Sequence, residues 1–143
     1  EEIIEKEVEV IANDHTGDHW RWRMKMAEKI ASELDGEKFG VYGLYVFGST
    51  KNASAGPGSD INLIAHVDKN NCDIEKLNLW FEGWSLCLAE MNYLRTGYKS
   101  DRLLEINIIN EDDIKNKTRI ALKISAITDA ARPLALMKSL ETN

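Results

Sequence analysis

Residues 41–68 of this 143-residue chain read VYGLYVFGSTKNASAGPGSDINLIAHVD and predict the centre of a sheet. The apolar and aromatic run Val41–Phe47 is typical of a buried strand. Residues 54–58, Ser-Ala-Gly-Pro-Gly, favour turns and interrupt any helix or strand. A second strand is predicted over Ile61–Val67. Because a short, Gly-rich link joins the two strands, we expect the end of the first to lie beside the start of the second.

The residues next to this link suit the binding of a polyphosphate. Gly48 follows the first strand and lets a phosphate approach the backbone closely, while Ser49 adds a backbone N–H and a hydroxyl. If a short helix begins here, its free N-terminal amides would also favour an anion. Asp60 precedes the second strand, so we expect its carboxylate at the same end of the sheet. There it could hold a divalent cation that bridges to the phosphates.

This order of elements resembles the signature of the DNA polymerase beta-type nucleotidyltransferase superfamily. In that superfamily a hydrophobic strand leads into Gly-Ser, and an Asp-x-Asp pair follows on the next strand. The matching residues here are Gly48, Ser49, Ser59 and Asp60. The resemblance covers about residues 41–109. It implies the minimal nucleotidyltransferase fold, an α/β (α+β) domain with a small mixed sheet of at least three strands packed with helices.

Three phrases extend the resemblance beyond this motif. GLYVFGSTKNASAGPGSDI, WSLCLAEMNYLRTGY and TDAARPL look like a nucleotidyltransferase-like domain that accompanies phosphoenolpyruvate-synthase-like, PEP/pyruvate-binding proteins. The abrupt acidic start, EEIIEKEVEV, and the apolar tail at residues 134–140 agree with that association. We therefore expect residues 1–143 to form a single domain, and a longer protein with further domains is one expectation for its context.

The resemblance also implies a set of site residues. In the superfamily three carboxylates hold two divalent cations, usually magnesium. Carried onto this sequence, Asp60 would contact both ions, and Glu105 on the third strand would supply another carboxylate. Gly48 and Ser49 would hold the β- and γ-phosphates of an NTP, with Ser59 beside them. Lys51 is placed to neutralise phosphate charge, although a solvent-facing lysine is an equal alternative.

Asn62 departs from the pattern, because it stands where the superfamily has its second Asp. An amide oxygen can coordinate a cation but brings no negative charge, so binding of two cations should be weakened. We expect a magnesium-dependent transfer of a nucleotidyl group from an NTP to a hydroxyl of a protein, a small molecule or an RNA end. The alternatives are a slow or one-metal enzyme, a nucleotide-binding or regulatory module without catalysis, and a sequence altered to Asn. A purely structural domain would bind no nucleotide.

Composition narrows the class of protein further. Apolar residues make up 43% of the chain, which suits a folded domain with a core. No apolar run approaches the roughly 20 residues of a membrane span, and no secretory signal is visible. We expect a cytoplasmic protein, with Cys72 and Cys87 as reduced thiols. The net charge of −6 weighs against binding long nucleic acid.

The remaining periodicity predicts helices and one more strand. Helices are expected over residues 1–12, from Asp18 to about Leu34 with a stop at Asp35-Gly36, from Asp73 to about Leu94, and over about 111–127. A third strand is expected over 103–109. Core-facing positions are Trp22, Met26, Ile30 and Leu34 on one helix, and Leu77, Trp80, Phe81, Trp84, Leu88 and Met91 on another. Arg21, Arg23, Lys25 and Lys29 are interpreted as a solvated helix face.

Overall fold

The computed structural model describes residues 18–141. The helix predicted over residues 1–12 lies outside the described residues. In chain order the elements are α1 (His19–Glu33), α2 (Gly36–Phe39), β1 (Val41–Phe47), β2 (Ile61–Val67), α3 (Ile74–Thr96), β3 (Leu104–Ile109), α4 (Glu111–Lys115), α5 (Arg119–Ser125) and β4 (Arg132–Leu134).

The four strands form one mixed sheet in the order β3-β2-β1-β4. β1 runs antiparallel to β2 and to β4, whereas β2 and β3 are parallel. A parallel pair needs a crossover connection, and the 23-residue helix α3 supplies it. The predicted α+β domain with a small mixed sheet and packed helices is therefore confirmed. The sequence did not predict β4, a three-residue strand at the edge of the sheet. It contains Pro133, which lacks a backbone N–H and is tolerated because an edge strand pairs on one side only.

One face of the sheet carries the main hydrophobic core, beneath α1 and α3. Its fully buried members include Ile30, Leu34, Leu77, Phe81 and Leu88, as predicted. The indoles of α3, predicted to be buried, lie partly buried against this core. No helix among residues 18–141 is long and apolar enough to cross a membrane.

Met91 does not join the core stripe of α3 and is exposed. Two inward-facing positions of α3 are polar. Ser85 and Asn92 are both buried, and each makes hydrogen bonds to residues outside the helix. The hydroxyl of Ser85 accepts from the backbone N–H groups of Leu103 and Leu104, both at 3.0 Å. These contacts join the middle of α3 to the start of β3.

The opposite face of the sheet is covered by a smaller cluster under α5. Ile64, Ile109, Ala121 and Ala131 are its buried members. The single helix predicted over residues 111–127 is wrong, since the chain forms α4 and α5 with a break between them. Lys117 adopts a left-handed φ of 53° at the break, so no continuous helix can pass through it.

The end of α1 also differs from the prediction. Asp35-Gly36 does not act as a helix stop after Leu34, because α1 ends at Glu33 and the Asp35 carboxylate caps α2 by accepting from the N–H of Lys38. A Cβ at Gly36 would collide with the backbone carbonyls of Lys138 and Val41. The C-terminal tail thus docks on the domain, where the N–H of Leu140 donates to the carbonyl of Val41 at 2.9 Å.

Candidate functional site

Three strands bring the predicted site residues to one end of the sheet. Asn62 lies opposite Phe47 on β1 and opposite Glu105 on β3. Directly opposed residues on neighbouring strands present their side chains to the same face, so Asn62 and Glu105 are neighbours. Both side chains are partly exposed. Asp60 immediately precedes β2 and lies two positions before Asn62 in the chain.

Gly48 lies directly against Asn62. Its φ is +75°, which L side chains rarely adopt, and a Cβ built on it would stand 2.6 Å from Nδ2 of Asn62. Glycine is therefore favoured here by the backbone conformation, and a larger side chain would have to displace the amide of Asn62. The consequence is that the end of β1 and the start of β2 approach closely at this point.

The residues after Gly48 form successive turns and not a short helix. The N–H of Asn52 donates to the carbonyl of Gly48 at 2.9 Å, and the N–H of Ser54 donates to that of Ser49 at 2.9 Å. Thr50 is fully buried in these turns, and its hydroxyl has no hydrogen-bond partner within the described part of the chain. The predicted Gly-Ser element is thus a compact turn held by its own backbone.

Asp60 and Ser59 are held by different contacts. The hydroxyl of Ser59 accepts from the N–H of Gly56 at 2.9 Å, so it braces the loop from inside. The carboxylate of Asp60 is 30% exposed and lies 3.9 Å from a guanidinium nitrogen of Arg102. This loose ion pair leaves the carboxylate accessible, but it places a competing positive charge beside it.

Lys51 points to a partner that the sequence did not suggest. Its ammonium lies 2.8 Å from the carboxylate of Asp129, and this ion pair lowers the pKa of Asp129. The Lys51 side chain is only 21% exposed. Lys51 is thus partly buried and paired with Asp129, and its role in neutralising phosphate charge stays a prediction.

Sequence reasoning missed Arg23, which was interpreted as part of a solvated face. That interpretation is wrong for Arg23, which is 0% exposed. A signal was present, because Ala27, Ile30 and Leu34 follow it at i+4, i+7 and i+11 and are all buried. Lys123 was also missed; its ammonium stands 5.0 Å from the ring centre of Phe47, the residue opposite Asn62.

The donor atoms at this end of the sheet are all oxygens of the kind that hard cations prefer. Asp60 and Glu105 offer carboxylates, and Asn62, directly opposite Glu105, offers an amide oxygen. No group of three or more His, Cys, Asp or Glu side chains suited to a metal occurs among residues 18–141. By residue type and charge, two carboxylates and one amide would suit one magnesium ion better than a pair of ions.

Two cavities of the described chain lie away from these donors. One of about 560 Å³ opens beside the start of α1 and is lined by Trp20, Arg21, Trp22, Lys25 and Arg95 among others. Another of about 290 Å³ lies between α3 and β3. Neither contains a predicted site residue. The site around Asn62 is therefore a surface at the sheet end and not one of these two cavities.

Comparisons of the chain with protein-family models, with curated proteins and with solved structures found no match. The family resemblance consequently depends on the motif at residues 41–68 and on the register of β1, β2 and β3.

Proposed function

We propose that this protein is a magnesium-dependent nucleotidyltransferase of the DNA polymerase beta type, which moves a nucleotidyl group from an NTP to a hydroxyl. The observation that carries the proposal is the contact of the Gly48 turn with Asn62, which is itself paired with Glu105 across β2 and β3. A phosphate-binding turn and two oxygen donors for a cation are thereby adjacent. This is the juxtaposition that nucleotidyl transfer needs.

Each residue has a definite part in the proposal. The backbone N–H groups of Gly48 and Ser49 would bind the terminal phosphates, because successive N–H groups in a turn can form a concavity that binds anions. Asp60, Asn62 and Glu105 hold the magnesium ion. When bound, the ion supplies positive charge that offsets the charge of the triphosphate and of the transition state.

The reaction conserves atoms and charge without an oxidant or a further co-reactant. The acceptor oxygen attacks the α-phosphorus and loses its proton to water, and a new O–P bond forms. The bond from the α-phosphorus to the bridging oxygen breaks, and pyrophosphate leaves with its electron pair. Positioning and electrostatic stabilisation, more than covalent chemistry, are what a protein contributes to such a transfer.

The second candidate function is a nucleotide-binding or regulatory module without catalysis. Asn62 favours it, since an amide brings no charge to the cation site. Arg102 favours it as well, because its guanidinium near Asp60 competes with a bound cation. On this alternative the domain still binds Mg²⁺·NTP but transfers nothing.

A transfer assay on variants distinguishes the two functions. Wild type, Asn62→Asp and Asp60→Asn are incubated with γ-labelled ATP or GTP, Mg²⁺ and a mixture of protein and small-molecule hydroxyl acceptors, and released labelled pyrophosphate is measured. Asp101→Asn, which changes an exposed acid in the loop before β3, is the matched control. The enzyme proposal expects release by wild type, more by Asn62→Asp and none by Asp60→Asn. Release in no protein, although nucleotide binds, would favour the regulatory module.

The acceptor and the cellular setting belong to the proposal too. The net charge of −6 makes an RNA end the least suitable acceptor for this domain alone, so a protein or small-molecule hydroxyl is preferred. A cytoplasmic location, where NTPs and Mg²⁺ are available, suits the activity. Further domains of a longer protein would supply or bind the acceptor.

A further inference from the structure

Arg23 is a buried cation whose hydrogen-bond acceptors among residues 18–141 are all neutral. Its Nε donates to the carbonyl of Ser59 at 2.9 Å, and Nη2 donates to the carbonyl of Pro57 at 3.2 Å. Nη2 also donates to Oδ1 of Asn92 at 2.9 Å, and Nη1 to the carbonyl of His19 at 3.4 Å. The contacts with the carbonyls of Ser59 and Pro57 bind the backbone of the loop that precedes Asp60.

Asn92 on α3 also contacts both Arg23 and this loop. It is fully buried, and its Nδ2 donates to the carbonyl of Pro57 at 2.9 Å. The Pro57 carbonyl therefore accepts from two side chains on two different helices. Residues 57–59 are exposed or partly exposed loop, and yet their carbonyls are tied to the interior of the domain.

Such a buried charge is costly to keep. Burial, followed by the like charge of Arg95, lowers the pKa of Arg23 to about 10, and Asp60 acts in the opposite direction. Arg23 therefore stays protonated near neutral pH. Burying a cation without a directly bonded carboxylate destabilises a fold, and an apolar side chain of similar size often serves stability better. We therefore looked for a role of the Arg23 charge other than stabilising the fold.

We propose that Arg23, together with Asn92, is a positioning residue that fixes the loop at residues 57–59 and thereby places the Asp60 carboxylate for cation and nucleotide binding. The proposal rests on the proposed function for its final step. The guanidinium suits this role because its planar fork donates in several fixed directions at once, whereas a lysine ammonium is a point charge. Arg23→Lys consequently keeps the charge and removes the geometry.

The first measurement needs no nucleotide. Hydrogen exchange is followed at residues 56–60 in wild type, Arg23→Lys and Arg21→Lys. Arg21 is the matched control because it lies on the same helix but is exposed, and its ion pair with Asp18 is 3.6 Å long. We expect exchange at this loop to be faster by about tenfold in Arg23→Lys and unchanged in Arg21→Lys, since local opening follows the loss of local contacts. Equal protection in all three proteins would overturn the proposal.

The second measurement asks whether Arg23 acts through Asp60. Affinity for Mg²⁺·ATP is measured in wild type, Arg23→Lys, Asp60→Asn and the double variant. We expect Arg23→Lys to weaken binding about tenfold in the wild-type background and to have little further effect in Asp60→Asn, because coupled residues give non-additive changes. Equal weakening in both backgrounds would reduce Arg23 to a general structural role and contradict the proposal.

Two safeguards keep the outcomes separable. If Arg23→Lys does not fold, Asn92→Ala removes the contacts of α3 with Arg23 and the loop and should show both effects in the same direction; wild-type loop protection and affinity in Asn92→Ala would overturn the proposal. If wild type binds no Mg²⁺·ATP, the proposed function fails, and the exchange comparison alone decides whether Arg23 and Asn92 fix the loop.

Discussion

Replacing Gly48 by alanine tests the geometry on which the candidate site depends. Gly48 has a φ of +75°, and a Cβ there would lie 2.6 Å from Nδ2 of Asn62. Gly97 is a natural control, since its φ is +78° and a Cβ there would meet nothing within 4 Å. The two glycines thus share the backbone conformation and differ in the contact with Asn62.

The expected magnitudes follow from these two contributions. Placing alanine in the left-handed region lowers the free energy of unfolding by about 1–2 kcal/mol, and this is the whole effect expected for Gly97→Ala. Gly48→Ala has the same backbone effect and must also displace the Asn62 amide from its rotamer, which costs about 1 kcal/mol more. We therefore expect a loss of about 2–3 kcal/mol in the free energy of unfolding for Gly48→Ala and about 1–2 kcal/mol for Gly97→Ala.

The assay is urea denaturation of both variants, repeated in an Asn62→Ala background. Removing the Asn62 amide takes away the contact but leaves the backbone conformation, so the cost of Gly48→Ala should fall to that of Gly97→Ala. The reasoning is refuted if Gly48→Ala costs no more than Gly97→Ala, or if its cost is the same with and without the Asn62 amide.

Three further predictions concern the rest of the domain. Ser85→Ala leaves two buried backbone N–H groups at the start of β3 without their acceptor and should lower the free energy of unfolding by about 2 kcal/mol. The control Ser32→Ala changes an exposed serine and should lower it hardly at all, so equal urea midpoints for the two variants would contradict this. Burial lowers the pKa of His66 below 6.5, so the unfolded chain takes up its proton first. The contribution of His66 to the free energy of unfolding should then be fully present above about pH 7 and be lost as pH falls from 6.5 towards the pKa of the folded state. His66→Gln should therefore reduce the fall of the melting temperature with decreasing pH, and an unchanged pH dependence would count against this. Asp129→Asn releases Lys51 to face bound phosphate and should tighten Mg²⁺·ATP binding by up to about fivefold in titrations, because an ion pair open to solvent is weak; weaker binding would show that the ion pair itself supports the site.

The central strands could be predicted from sequence because their patterns are uninterrupted. β1 and β2 have the predicted bounds, since each is an apolar run that ends where glycine or polar residues begin. That Asn62 lies opposite Glu105 is given by the register of β2 and β3, which the sequence analysis did not predict. Short-range pattern therefore accounts for the strands of the candidate site, and their pairing comes from the structure.

What the sequence did not predict depends on contacts between distant residues. β4 is a strand only because β1 offers it an edge, and the break before α5 is set at Lys117, where no glycine or proline marks it. The ion pair between Lys51 and Asp129 joins residues 78 positions apart. Arg23 was assigned to solvent from its charge, although the acceptors that permit its burial come from α3 and the loop before β2.

The central claim is that Asp60 and its neighbours bind a nucleotide with a divalent cation. Calorimetric titration of ATP and GTP, with and without Mg²⁺, into wild type and Asp60→Ala tests it most directly. We predict Mg²⁺-dependent binding to wild type that is lost in Asp60→Ala while the fold is retained. Absence of binding in wild type, or equal binding by Asp60→Ala, would contradict the account.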